Sequence, residues 1–268
     1  MDISACSFAD ADLHLVGGAS RAAHSCWRFH VSKPPGVFCV SVDSHAADSD
    51  SVTLKKRRQD LLEIFQRFDM SSNWTVSAPP KRALPPNFEV SVAVPKQTTR
   101  SEMVILIRRM NAELAKNGLH TQSVVLDPHE ARELWDVLVR QKCHVARPRT
   151  ATACQDTSAK IVRGGLWYAP ISCSFVGGSR RTVRSSFSVC QRRLVEAAGN
   201  GGLFHLNVDV GNSRDSWHEE VDALRALVQT SADLRTKQRM RCVTLSDLPV
   251  SLLRKSATPM NSILRRAA

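Results

Sequence analysis

Two predicted strands carry residues that can perform acid–base or metal chemistry. Asp43 follows a short apolar run, and His205 and Asp209 alternate with apolar residues over 203–210. Side chains alternate across a strand, so His205, Asn207 and Asp209 lie on one face. Three polar groups on one face of an apolar strand predict a cleft or a set of partners, because each would cost about 1–3 kcal/mol if buried unpaired. Asp43, His205 and Asp209 are therefore candidate catalytic residues.

Arg147 is the fourth candidate catalytic residue. It lies in the basic segment 143–149. A guanidinium could hold a carboxylate such as Asp43 through paired hydrogen bonds. Arg147 could equally belong to an exposed basic cluster with Arg149, and the sequence leaves both possibilities open.

The other three candidates also have structural alternatives. Asp43 could cap the loop after its strand by accepting hydrogen bonds from backbone N–H groups. His205 could be a core histidine that bonds to a neighbouring strand. Asp209 is expected mainly to hold the turn at Gly211 and Asn212.

The elements that must position these residues alternate between strands and helices. Apolar runs predict strands over 37–42, 73–76, 88–94, 122–126, 143–149 and 203–210, with a short final strand before Leu248. Helical periodicity is found over 55–68, 100–119, 130–140 and 187–198, and again between 212 and 235. This order predicts an α/β fold with a mostly parallel sheet, namely an irregular, incomplete (β/α) barrel of about seven strands. In such folds the carboxyl ends of the strands carry the site, and Asp43 lies at such an end.

Three regions are expected along the chain. Residues 1–35 predict a loosely ordered leader, residues 36–250 the barrel domain, and residues 251–268 a basic C-terminal tail. Within the barrel domain the stretch 150–176 has a weak pattern and predicts a loop-rich crossing.

Composition limits the classes of partner. The net charge is +12, which would suit nucleic acid, an anionic membrane surface or acidic glycans. However, Lys and Arg are spread along the chain, and there is no RNA-binding aromatic motif or zinc-finger spacing. We therefore expect no specific binding of nucleic acid.

The cysteines and the apolar runs predict the compartment. The eight cysteines form no CxxC pair and are irregularly spaced, so we expect neither a zinc site nor a disulfide framework. Buried or free thiols in a reducing cytoplasm are the preferred interpretation. No apolar run approaches the length of a membrane span, and no signal peptide is recognised, so a cytoplasmic protein is expected.

Four parts of the chain resemble the polysaccharide deacetylase family. The resemblance covers about residues 37–248 and lies in residues 40–76, 88–92, 118–147 and 202–248, with the densest match at GLFHL (202–206) and MRCVTLSDL (240–248). It implies an irregular (β/α) barrel that removes acetyl groups from an acetylated carbohydrate. In that family a divalent metal is held by an aspartate and two histidines, and a further aspartate acts as the base. A histidine protonates the leaving amine.

The chain departs from the family at the metal-binding positions. Asp43 fits the first aspartate, but Ser44 stands where the metal-binding aspartate is expected. Residues 92–94 are apolar where a histidine is expected, and Asp209 replaces the histidine that usually precedes proline. No metal ligand is therefore assigned, and a divalent metal such as zinc is expected only if the site is functional.

Five residues from different loops and strands could replace the missing ligands. They are His45, Asp48, His129, His205 and Asp209. A zinc site needs about three well-placed protein ligands. The spacing of these five does not show that they converge.

Three functions remain open at this point. The first is a polysaccharide deacetylase-like protein of carbohydrate metabolism, a hydrolase acting on an N- or O-acetylated sugar. The second is a catalytically inactive deacetylase-fold module that binds glycan or a protein partner. The third is a basic α/β protein that binds anions through its Arg and Lys surface.

Overall fold

A computed structural model gives the arrangement of most of the predicted barrel. It describes residues 33–43, 52–78, 87–126, 128–151, 158–175, 180–211 and 217–256. These residues belong to one of the two units of the chain, Lys33–Ala268. The other unit, Met1–Ser32, holds nearly all of the predicted leader and lies outside the described residues.

The described residues contain ten strands and six α-helices in a mostly alternating order. The strands are β1 (Gly36–Asp43), β2 (Ser72–Val76), β3 (Phe88–Ala93), β4 (Ser123–Val125), β5 (Val145–Arg147), β6 (Lys160–Ile161), β7 (Trp167–Tyr168), β8 (Cys173–Phe175), β9 (Leu203–Asp209) and β10 (Met240–Cys242). The helices are α1 (Val52–Arg67), α2 (Arg100–Ala115), α3 (Pro128–Arg140), α4 (Arg180–Asn200), α5 (Trp217–Thr236) and α6 (Leu248–Ser256).

The strands form one curled sheet, a half barrel. Their order is β6-β7-β5-β4-β3-β2-β1-β9-β8, and β10 pairs with the first half of β1. Every described pair is parallel except β6–β7. The path ends at β6 and β8 in the described part of the chain. The prediction of an α/β fold with an incomplete barrel is confirmed.

The strand and helix predictions hold where the sequence pattern is long. All seven predicted strands are present, as are the five predicted helices. The structure adds β6, β7 and β8, which have only two or three residues each and lie in the stretch 150–176, where a loop-rich crossing is expected because the pattern is weak. It also adds α6, which crosses residue 250, the expected end of the barrel domain. The limits of that domain stay predictions.

The outer face of the sheet is apolar and carries the core. Two clusters fill the space between strands and helices, one under α1, α4 and α5 and one under α2 and α3. Alternate residues of β1, Phe38, Val40 and Val42, belong to the first cluster. Because side chains alternate across a strand, Ser41 and Asp43 face the inside of the half barrel.

The amino ends of the strands are closed by the segment after β10. Leu245 and Leu248 pack with Val37 of β1 and Leu203 of β9 in a third cluster. Interior side chains hold this segment in place. Asn73 Oδ1 accepts a hydrogen bond from the backbone N–H of Leu245. The inside of the half barrel is therefore blocked at one end, and Asp43, Thr75 and Arg147 lie toward the other.

The preferred interpretation of buried or free thiols is wrong for two of the cysteines. Cys173 of β8 and Cys190 of α4 are joined by a disulfide across 17 residues. The two cysteines lie on neighbouring elements, and their separation along the chain matches no sequence motif. Cys39 and Cys143 are free and buried, and Cys242 is free and half-buried, as expected for those three. No helix in the described ranges has both the length and the apolar character needed to cross a membrane.

The disulfide should contribute measurably to stability. Closing a loop of this length restricts the unfolded chain, which corresponds to about 3 kcal/mol. We expect reduction, or the substitution Cys190→Ser, to lower the melting temperature by about 6–12 °C. The control Cys242→Ser should keep the difference between oxidised and reduced protein. Peptide mapping that finds Cys173 and Cys190 as free thiols in unreduced protein would contradict the assignment.

Candidate functional site

A buried ion pair connects the carboxyl ends of β1 and β5. Three strands lie between β1 and the strand of Arg147, whose side chain crosses the concave face and donates through Nη2 to Oδ1 of Asp43. The exposed fractions of the two side chains are 0% and 2%. The same Nη2 donates to Thr75 Oγ1, and Nη1 donates to the carbonyl oxygen of Pro148 at 3.0 Å. Arg147 therefore holds Asp43 and is not part of an exposed basic cluster.

The second oxygen of Asp43 is also occupied. Asn207 Nδ2 donates to Asp43 Oδ2 at 2.9 Å from the neighbouring strand β9. Burial alone would raise the pKa of the Asp43 carboxyl. The charge of Arg147 and the hydrogen bonds from Arg147, Thr75 and Asn207 outweigh that effect and hold the pKa below its usual value. Asp43 is thus a carboxylate at neutral pH.

His205 is a fully buried, neutral histidine. Its Nδ1 lies 3.1 Å from the carbonyl oxygen of Pro170, and its Nε2 lies 2.8 Å from Ser41 Oγ. A carbonyl only accepts hydrogen bonds, so Nδ1 carries the proton and Nε2 accepts from Ser41. Burial, with the charge of Arg147, lowers the pKa of His205 to about 3. These contacts match the structural alternative, a core histidine bonded to its neighbours.

Asp209 stands at the end of β9 beside Asp43 in the strand register. Its Oδ1 accepts a hydrogen bond from the backbone N–H of Gly211 at 2.9 Å. This is the turn-holding role that the sequence favoured. The structure thus brings Asp43, Arg147 and Asp209 to one end of the sheet and places His205 deeper inside. Their catalytic roles stay predictions.

The described residues do not fit the metal site of the family that the sequence resembles. No three His, Cys, Asp or Glu side chains within the described residues are arranged to hold a metal ion. Both oxygens of Asp43 and both ring nitrogens of His205 already have protein partners. A cation at Asp43 would also meet the positive charge of Arg147. His45 and Asp48 lie outside the described residues, and so does the side chain of His129.

Sequence reasoning missed two partners that define the site. Thr75 contacts Arg147, and Ser41 contacts His205. The signal was present, because Ser41 and Asp43 alternate with apolar residues in β1, as Asn73 and Thr75 alternate in β2. Such polar residues at every second position of a buried strand indicate a polar interior face.

Comparison with known proteins identifies the fold of this chain but no family model or curated relative. No protein family model matches the chain, and no curated protein gives a significant match. A solved structure described as "putative polysaccharide deacetylase from Mycobacterium smegmatis" aligns with a TM-score of 0.59 at 14% identity, over 85% of this chain and 95% of that chain. This protein therefore has the half-barrel fold seen in that structure. It is a divergent chain of polysaccharide deacetylase-like fold.

Two further structures align less well. A "putative cellobiose-phosphate cleavage protein" from Enterococcus faecalis V583 gives a TM-score of 0.49 at 12% identity, over 80% of this chain and 99% of that chain. A "putative polysaccharide deacetylase involved in o-antigen biosynthesis" from Bordetella bronchiseptica gives 0.39 at 12% identity, over 82% and 90%. At these scores neither structure adds to the argument.

The first prediction from this site concerns the ion pair. Arg147→Met leaves the carboxylate of Asp43 buried without its charge partner, which should cost about 3–5 kcal/mol of unfolding free energy. Adding Asp43→Leu to that variant should recover most of the loss, because no unpaired charge remains. Urea unfolding at pH 7 measures both effects. Arg149→Met is the matched control, and an equal loss in that control would show that the pair has no special weight.

The second prediction concerns acid stability. The pKa of His205 is about 3 in the folded protein, against an ordinary value of 6.5, so the unfolded chain binds the extra proton. The contribution of neutral His205 to the free energy of unfolding is complete above about pH 6.5. It is lost toward pH 3, by at most about 1.4 kcal/mol per pH unit. The stabilisation that comes from Asp43 is complete above its ordinary pKa of 3.8, so its loss adds to the dependence on pH only below that value.

Unfolding free energies between pH 4 and 7 test this assignment. The substitution His205→Gln should flatten the dependence on pH, since the titrating ring is removed. His120→Gln, at an exposed histidine, should leave it unchanged. Equal slopes in the wild type and in His205→Gln would show that His205 does not titrate as described.

Proposed function

We propose that this protein is a deacetylase-like protein of carbohydrate metabolism that binds an acetylated sugar at the carboxyl end of its half barrel. The observation that carries the proposal is the buried cluster of Asp43, Arg147, Thr75 and Asn207. Four different strands converge there, at the end of the sheet where barrel enzymes place their sites. The fold shared with the Mycobacterium smegmatis structure supports the choice of ligand class.

Asp43 has the chemistry of a general base. It remains ionised at neutral pH and is oriented by Arg147. It could accept a proton from the water whose oxygen bonds to the acetyl carbon. The bond from that carbon to the sugar nitrogen or oxygen then breaks, and the leaving atom takes a proton, which the protonated Asp43 carboxyl could return. Arg147 holds the carboxylate in place and keeps it charged.

The described residues supply a base more clearly than an acid. His205 uses its proton to bond Pro170 and is fully buried. Asp209 bonds the backbone of Gly211. These contacts favour the second candidate function, a catalytically inactive deacetylase-fold module that binds glycan or a protein partner. The occupied oxygens of Asp43 support the same alternative.

The cytoplasmic location also remains a proposal. The disulfide between Cys173 and Cys190 counts against it, because cytosolic thiols are usually kept reduced. The same disulfide would be stable in an oxidising compartment.

Acetate release and sugar binding, measured together, separate the candidate functions. N-acetylated and O-acetylated oligosaccharides are titrated into the purified protein by calorimetry, acetate is assayed, and bound zinc, cobalt and nickel are quantified. Acetate release that falls at least 100-fold in Asp43→Asn supports hydrolysis with Asp43 as base. Binding without acetate release supports the inactive module. The absence of binding to any acetylated sugar contradicts the proposal.

The matched control is Asp222→Asn, at an exposed carboxylate on α5. Its binding and acetate release should equal those of the wild type. The melting temperature of each variant shows whether it is folded. Equal activity in Asp43→Asn and in the control would remove Asp43 from the reaction.

A further inference from the structure

Within the described residues several buried polar atoms have no hydrogen-bond partner, and two of them are neighbours on the inner face of the half barrel. They are Asn207 Oδ1 and Ser174 Oγ. Asn207 is 4% exposed. The two residues are register partners on the neighbouring parallel strands β9 and β8, so their side chains leave the sheet on the same face. Almost all buried polar groups in proteins are paired, so this coincidence of two unpaired atoms needs an explanation.

The amide of Asn207 has a fixed orientation. Its Nδ2 donates to Asp43 Oδ2 at 2.9 Å. Turning the amide over would place its carbonyl oxygen against a carboxylate oxygen, two acceptors with no proton between them. Arg147 keeps that carboxylate charged through its own bond to Oδ1. Asn207 Oδ1 is therefore a preorganised acceptor directed away from Asp43.

Ser174 is held beside this acceptor by a contact on the opposite, outer face of the sheet. The preceding residue, Cys173, points into the outer core and is joined to Cys190 of α4. Alternation along β8 then directs Ser174 inward. Its hydroxyl can rotate and can either donate or accept. The pair thus offers one rigid acceptor and one adaptable group next to the carboxylate of Asp43.

We propose that Asn207 and Ser174 form a polar subsite that receives an N–H donor of the ligand and makes the site selective for amides over esters. The assignment of that donor to an acetamido group rests on the proposed function. An acetamido group presents an N–H that can pair with Asn207 Oδ1. An O-acetyl ester has no hydrogen on the corresponding oxygen and leaves the acceptor unpaired. Sites built to pair with a ligand N–H discriminate strongly against analogues that lack it.

A matched pair of ligands tests the subsite. The probes are a glucose unit carrying a 2-acetamido group and the same unit carrying a 2-O-acetyl group, titrated by calorimetry. We expect the wild type to bind the amide about 10- to 100-fold more tightly than the ester. Asn207→Leu should bring this ratio close to one by weakening binding of the amide. Ser174→Ala should reduce the ratio by a few-fold and leaves the contacts of Asp43 untouched.

The outcomes separate the subsite from the function on which it rests. Ser188→Ala, at an exposed serine of α4, is the control and should keep the wild-type ratio. If Asn207→Leu does not fold, Ser174→Ala still reports on the ratio. If both ligands bind and the ratio is unchanged in the variants, the subsite is wrong. A buried water that pairs the two atoms would give this result. If neither ligand binds the wild type, the proposed function is wrong.

Discussion

The arrangement of the inner face depends on the buried guanidinium of Arg147. A charge removed from water is tolerated only when a counter-charge and further hydrogen bonds replace its hydration. Asp43 supplies the charge, while Thr75 and the carbonyl of Pro148 accept further bonds. Because Arg147 and Asp43 belong to strands separated by three others, the pair can form only when the sheet is curled. Curvature and charge neutralisation are therefore linked.

The outer core determines which side chains face the inside of the curled sheet. The cores under the helices use alternate residues of the strands, so the intervening residues must face inward. An interior of polar residues would be unfavourable alone, but several of its polar groups find a partner on an adjacent strand. Asn207 reaches Asp43 from β9, and Ser41 reaches His205 from β1. The outer core supplies most of the burial, and the inner face supplies specific contacts.

The sequence predicted the fold better than the site. Long apolar runs such as β1 and β9 show their pattern directly, and the order of elements then limits the topology. Contacts between distant residues leave no such pattern. Asp43 and Arg147 are 104 positions apart, and their pairing depends on how several parallel strands are placed. The disulfide was missed for a related reason, since β8 has only three residues and gave no hint that Cys173 lies against α4.

The preserved histidine and the preserved carboxylate carry different weight. His205 matches the resembling family in sequence, yet its hydrogen bonds to Ser41 and Pro170 give it a complete structural role as a neutral core residue. A catalytic role is therefore not needed to explain the histidine at this position. Asp43 differs, because a buried charge that is costly to maintain is kept ionised by three neighbours at the carboxyl end of the sheet. Stability alone would be served as well by apolar residues at Asp43 and Arg147. For this reason the proposed function is placed at the carboxylate of Asp43.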